Sequence, residues 1–255
     1  MILYPIKKAT RKDDLISQPY GANADFYKKY FPGLSSHDGV DIVSQHGDEL
    51  LACEDFTPFM VFNLETRPLD VGLKRGWGFH ALSDPDENGV CREWVYWHMM
   101  SNVQIKFVER VVQGSVVGYE GNSGPVYVNG IAVDDSMKGV APYPGTHVHW
   151  GYREVMLVNS GDHCITDIDG APYRNPITGQ YYEVIDFNNG NEGFKDPMLL
   201  PIEFYDEYIV QTATGITEQI ETVKPSLSTD QQDKVTDAEL GFWKSLFAWL
   251  KGRGW

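Results

Sequence analysis

Thr146-His147-Val148-His149-Trp150, running on through Gly151 to Tyr152, is an apolar and aromatic run of strand formers interrupted by two histidines at i and i+2. On a β-strand successive side chains leave opposite faces, so His147 and His149 emerge on the same face and can share one site. Similar short runs lie on the N-terminal side: Trp94-Val95-Tyr96-Trp97, Val103 to Val112, Val116-Val117 and Val126 to Val128, each bounded by Gly, Asn, Asp or Pro. Short β-type runs punctuated in this way predict a mainly β body, an antiparallel β-sandwich or open barrel. The 25 glycines and 14 prolines among 255 residues support that reading, because turn residues at this density suit short strands better than long helices.

Outside this body the signals change. Residues 1–36 carry the turn signal Gln18-Pro19-Tyr20-Gly21 and an aromatic stretch, Phe26 to Phe31, that reads as a short helix or an extended arm. Residues 155–200 hold one convincing strand, Tyr181 to Ile185, and are otherwise loop-rich, so they extend the same domain, taken as 1–200. A polar linker is expected over 201–235. Thr236 and Glu239 then stand at capping-box spacing before Leu240, Trp243, Leu246, Phe247 and Leu250, an apolar stripe that Gly252 ends. The amphipathic helix expected within the segment 236–255, ended by Gly252, has about fifteen residues and a length near 22 Å, too short to span a bilayer. It is expected to dock on its own domain or on a partner.

Composition narrows the function. Hydrophobic residues make up 42% and charged residues 22%, as in a folded chain. With 36 acidic against 21 basic residues the net charge is -15, which repels a phosphate backbone and argues against nucleic-acid binding. Cys53, Cys91 and Cys164 are odd in number and lack C-x-x-C spacing, so they signal neither a disulfide framework nor a thiolate metal site. No apolar run follows the basic residues near the N-terminus and none reaches membrane-span length, so neither a signal peptide nor a transmembrane segment is expected.

A second pattern repeats the geometry of the first. In His37-Asp38-Gly39-Val40-Asp41 a histidine precedes a carboxylate by four, which also places both on one strand face. Imidazole nitrogens and a carboxylate oxygen are donors that Zn²⁺ accepts, and three protein ligands with an open fourth position make a catalytic site. His98, in Tyr96-Trp97-His98, lies between the two patterns.

The order Gln18-Pro19-Tyr20-Gly21, Ser36-His37-Asp38-Gly39-Val40-Asp41, Gly76-Trp77-Gly78, Tyr96-Trp97-His98, Gly121-Asn122-Ser123-Gly124 and His147-Val148-His149-Trp150 resembles the lysostaphin-type zinc endopeptidases, also called LytM-domain or duplicated-hybrid-motif peptidases. The match covers roughly residues 16–155. The resemblance implies the duplicated-hybrid-motif fold, one Zn²⁺ held by His37, Asp41 and His149, and His98 and His147 as catalytic histidines. It further implies a peptidoglycan substrate, cross-bridge or stem, with Tyr96, Trp97 and Trp150 as aromatics lining a narrow groove. Without a secretion signal, the expected route to the cell wall is that of a phage lysin or virion-borne protein. One departure from the family is the segment from Pro125 to Pro144, which reads as an inserted hairpin beside the cleft.

Two other functions fit some of the same residues. His147, His149, Glu154 and Gly161 satisfy the cupin pattern H-x-H-x(4)-E-x(6)-G, which would bind iron or manganese for oxygen chemistry. A LytM-like module that binds wall or partner without cleaving is the other. His46 and His80 read as surface or core-satisfied residues, and His163-Cys164 as neighbours on opposite strand faces.

Overall fold

The computed structural model describes residues 1–9, 15–62, 76–101, 103–167 and 169–205, all within the compact unit Met1–Tyr205. In chain order its strands are β1 (Ile2–Leu3), β2 (Ile16–Gln18), β3 (Val40–Ile42), β4 (Glu49–Leu51), β5 (Phe56–Phe62), β6 (Trp77–Ser83), β7 (Val90–Met99), β8 (Val116–Tyr119), β9 (Tyr127–Val128), β10 (Ile131–Ala132), β11 (Val148–Val158), β12 (Tyr181–Val184), β13 (Phe194–Lys195) and β14 (Ile202–Glu203). One α-helix, α1 (Ala24–Tyr30), precedes β3 and settles the reading of the Phe26–Phe31 stretch as helix. The helix expected over 236–255 and most of the expected linker lie outside the described residues. The described start of that linker includes β14, which pairs in parallel with β1. No described helix is long and apolar enough to cross a membrane.

The protein is mainly β, as the alternation predicts. An eight-stranded antiparallel sheet runs in the order β2-β3-β11-β7-β6-β5, and β12 and β13 also pair with β11. β11 is the spine of this sheet. Its one edge pairs along Met156 to His149 with β7, and its other edge is shared in succession by β3, β13 and β12. No closed barrel forms among the described residues. The two-stranded sheet β4-β8 contributes Leu50 and Val117 to the core against the large sheet.

Period-two alternation decides what each face does. Val148, Trp150 and Tyr152 on β11, Trp94 and Tyr96 on β7, Phe79 on β6, and Val40 and Ile42 on β3 all enter one buried cluster. Trp94 stacks on Trp150 with centroids 5.3 Å apart, and Phe79 on Tyr96 at 4.7 Å. Burial of each such ring stabilises the fold by roughly 1.5–3 kcal/mol. Tyr96 and Trp150 are therefore core residues and not the groove lining expected of them; of the three aromatics only Trp97 faces the site. The alternation that brings His149 to one face sends its neighbour Trp150 to the other.

Two strand expectations need correction. Residues 103–112 form no strand beyond an isolated bridge between Val111 and Phe56. Phe107, Val108 and Val112 are exposed, and Val108 adopts φ 55°, so strand-forming residues without a partner strand stay in a loop. Conversely β11 continues to Val158, because β12 pairs with its far end.

Candidate metal centre

Strand register assembles the centre. β3 lies antiparallel to β11 with Asp41 directly opposite His149, so the carboxylate and the imidazole leave the same face as close neighbours. His37 precedes β3 and is tied to the turn signal of the N-terminal segment. Its backbone exchanges hydrogen bonds with Gly21 and Ala22, and its Nδ1–H donates to Pro19 O at 3.2 Å. That bond fixes the tautomer and leaves Nε2 free to face the centre.

His37 Nε2, Asp41 Oδ1 and His149 Nδ1 form a nearly equilateral triangle: His37 to His149 3.0 Å, His37 to Asp41 3.1 Å and His149 to Asp41 3.1 Å. Donors about 2.1 Å from a tetrahedral zinc stand roughly 3.4 Å apart, twice 2.1 Å times the sine of half the tetrahedral angle. The observed separations are a few tenths of an ångström shorter, and two imidazoles with one carboxylate are donors that zinc takes. The residues fit such an ion.

The two remaining histidines close over the same carboxylate. His147 Nε2 is 3.7 Å from Asp41 Oδ1, and the His98 and His147 rings lie 4.5 Å apart. Each is oriented by a backbone carbonyl, His147 Nδ1–H donating to Gly145 O at 2.7 Å and His98 Nδ1–H to Ser123 O at 2.8 Å. Both Nε2 atoms therefore keep a free lone pair. All five residues predicted from sequence converge.

Local strain and close backbone approach hold His98 in place. The penultimate residue of β7, it has φ 63°, a left-handed conformation that costs a side-chain-bearing residue about 1–3 kcal/mol. The Gly121-Asn122-Ser123-Gly124 segment stabilises the bend. A Cβ on Gly121 would lie 2.6–2.8 Å from the backbone of residues 98–100, so only glycine passes there. Ser123 Oγ donates to Met99 O at 2.6 Å and accepts from Trp77 N at 2.8 Å. Gly39 does similar work beneath His149, where a Cβ would meet the imidazole at 2.7–2.8 Å.

Charge is partitioned across the cluster. Burial raises the Asp41 pKa, but His147, His149 and His37 outweigh it and hold the carboxyl well below its usual range. Burial disfavours charge on His37, yet the hydrogen bond and charge of Asp41, with Asp38, raise its pKa. His98 is driven well below the usual imidazole range, first by burial and then by the neighbouring His147.

Several participants escaped sequence reasoning. Asp38, buried inside the quoted motif, points Oδ1 at His149 Nε2 from 3.6 Å, and that nitrogen makes no hydrogen bond. His37, Asp38 and His149 also offer donor atoms within 4.8 Å of one another. Asp41 is the better-placed carboxylate for a shared ion, because Asp38 faces the opposite nitrogen of His149. Tyr27 on α1 packs 5.4 Å from the His37 ring, and Phe26 meets Tyr127 of the inserted hairpin β9-β10 at 5.2 Å, so helix and hairpin adjoin the centre.

Residues outside the centre sort cleanly. Glu154, required by the cupin pattern, alternates to the face opposite His149 and binds Lys195 at 2.7 Å, so it cannot complete a site with His147 and His149. Cys53 and Cys91 are buried and Cys164 is half-buried; all three are free. His163 stacks on Phe187, and His46 on Tyr143.

Among solved structures the fold is similar to that of LytU, with a TM-score of 0.37 and 18% identity over 58% of this chain and 78% of that one. It is also similar to the catalytic domain of the prophage-encoded M23 protein EnpA from Enterococcus faecalis, at a TM-score of 0.35 and 20% identity over 55% and 79%. The antimicrobial peptidase lysostaphin from Staphylococcus simulans aligns at a TM-score of 0.35 and 18% identity, over 58% of this chain and 44% of that one. No family model matches the chain, and no characterised protein matches it in sequence. At these TM-scores the likeness does not decide the chemistry.

Proposed function

We propose that this chain is a zinc-dependent endopeptidase of the lysostaphin type, hydrolysing peptide bonds in the cross-links or stems of bacterial peptidoglycan. The observation that carries the reading is the triangle of His37 Nε2, Asp41 Oδ1 and His149 Nδ1, each side 3.0–3.1 Å, with two further imidazoles beside it. The motif order quoted above supplies the substrate class.

A zinc ion bound by His37, Asp41 and His149 would supply Lewis acidity and bring the pKa of a bound water towards about 7. The protein supplies the proton handling. His98, held neutral by burial and by His147, offers a free Nε2 lone pair as acceptor, and Ser123 O keeps its tautomer fixed. His147 offers a second Nε2 on the same side, oriented by Gly145 O and close to Asp41. Between them the two imidazoles accept a proton from the attacking water, hydrogen-bond the oxyanion and return a proton to the leaving amine. α1 and the β9-β10 hairpin provide aromatic surface against which a short, flexible peptide can lie.

Metal analysis joined to turbidity assays on purified cell walls tests the reading. Wild-type protein should carry one zinc and clear the suspension. Asp41→Ala should lose the metal, whereas His147→Ala should keep it and slow by about 10²-fold or more, the scale for losing one transition-state donor. Full activity in either variant, or wild-type protein that takes up no zinc, would refute it.

A further inference from the structure

The face of the large sheet that carries His149 also carries a string of polar residues beneath the centre. On β7 and β11 Trp97 lies directly opposite His149, and four residues along Glu93 lies directly opposite Arg153. His80 on β6 is opposite Val95, midway between Glu93 and Trp97, and joins the two. Arg153 Nε donates to Glu93 Oε2 at 2.5 Å, His80 Nδ1–H to Glu93 Oε1 at 2.7 Å, and the Trp97 indole N–H to His80 Nε2 at 3.0 Å. The Trp97 ring then stacks on His149, centroids 4.6 Å apart and planes inclined by 14°. Glu93 is 1% exposed.

We propose that Arg153, Glu93, His80 and Trp97 form a positioning chain that fixes the plane of the His149 imidazole and so aims its Nδ1 at Asp41 and His37. The proposal rests on the metallopeptidase reading and extends it to residues outside the ligand set. Three observations carry it. His149 makes no hydrogen bond on Nε2, the nearest carboxylate oxygen, of Asp38, standing 3.6 Å away, so the ring lacks the usual tether that orients a metal-binding histidine and is held instead by packing, on Gly39 beneath it and on the face of Trp97. Each link has a fixed polarity: Glu93 accepts from Nδ1–H, which leaves Nε2 of His80 as acceptor for the indole and sets the Trp97 ring. Finally, a buried ionic string is a poor stabilising device, since apolar replacements of similar volume often hold a fold as well or better. Orientation of the ring above it gives the string a purpose.

The test uses the full chain and zinc itself, by competition with a chromogenic chelator. His80→Leu removes the hydrogen bonds to Glu93 and Trp97. Trp97→Phe keeps an aromatic face and deletes the indole N–H. His80→Gln restores one donor and one acceptor. We expect His80→Leu and Trp97→Phe to weaken zinc binding by about 10- to 100-fold, the range for losing an outer partner of a ligand, and to change the ligand-field spectrum of the cobalt-loaded protein; His80→Gln should recover most of the affinity. Far-ultraviolet circular dichroism and metal-free melting temperature establish folding, and if His80→Leu does not fold Trp97→Phe carries the test. Wild-type affinity and spectrum in the folded variants would overturn the positioning role while leaving the metallopeptidase reading intact. If the wild-type protein itself takes up no zinc, that reading fails, and metal-free crystal structures decide the positioning role: a turned His149 ring in Trp97→Phe supports it and an unmoved ring overturns it.

Discussion

Glu120 offers a quantitative test of the segment that carries the glycine-rich turn. It is fully buried, follows β8, and immediately precedes Gly121, whose carbonyl accepts the backbone N–H of His147 at 3.1 Å. Its carboxylate accepts hydrogen bonds from Ser44 N at 2.8 Å and from the Ser44 hydroxyl. Burial, against those hydrogen bonds and with the nearby charge of Asp48, pushes its pKa from an ordinary 4.5 up to about 7. A group that binds its proton more tightly when folded stabilises the fold most below the unfolded pKa, and that contribution disappears as pH rises through the folded pKa. The window is therefore about pH 4.5 to 7. At about 1.36 kcal/mol per unit over roughly 2.5 units, the fold loses about 3 kcal/mol across it. Glu120→Gln removes the titration, and a turned amide can accept from Ser44 N while donating to Ser44 Oγ. Urea unfolding of the metal-free wild type and variant, from pH 4 to pH 8, isolates the effect, because groups such as Asp41, Glu93 and His98 are common to both proteins and cancel in the difference. The variant should gain on the wild type by about 3 kcal/mol between pH 4.5 and 7.5. A difference that stays flat across that range would refute the reasoning.

Other outcomes follow from the geometry. Gly39→Ala drives a methyl group to 2.7 Å from His149 Nε2, so the ring must move and zinc affinity should fall at least about 10-fold by competition titration, with folding retained. Glu93 sits between Arg153 and His80, and although burial opposes its charge, Arg153 and His80 lower its pKa to about 2. Its contribution to stability is then present above pH 4.5 and lost as pH falls through about 2, so the acid limb of unfolding should be flatter in Glu93→Gln than in wild type. Glu93→Ala deprives the half-buried Arg153 of its carboxylate, leaving it only Glu192 O and the Phe194 ring, and should cost up to about 3 kcal/mol at pH 7, measured by urea unfolding.

What sequence made legible follows from the range of each signal. His147-Val148-His149 encodes its geometry within three residues, so the same-face placement of that pair could be read directly, whereas His37 stands before β3 and is held beside Asp41 by its backbone bonds to Gly21 and Ala22 and not by strand alternation. That the two pairs meet depends on the register of β3 against β11, which no local pattern specifies; only the motif order pointed to it. The Arg153-Glu93-His80-Trp97 string was invisible because it needs β6, β7 and β11 aligned at once, and His80 alone looks like any satisfied core histidine. Residues 103–112 misled for the opposite reason: their strand-forming side chains are a local property, whereas a strand requires a partner edge. Glu154 fitted a cupin spacing in the sequence and fails it by pleat parity alone.

Asn122 joins two parts of the molecule that are usually considered separately. Its side chain donates to Pro144 O at 3.0 Å and accepts from Gly139 N at 2.8 Å, so the base of the inserted loop is clamped by the tetrapeptide that also bends the chain behind His98. Those two bonds pin the returning limb of the insertion, so the exposed hairpin turn at residues 128–132 can be changed or exchanged in the laboratory while the anchor keeps the histidine beside it undisturbed. Variation of that exposed turn would thus be decoupled from the geometry of the histidine cluster.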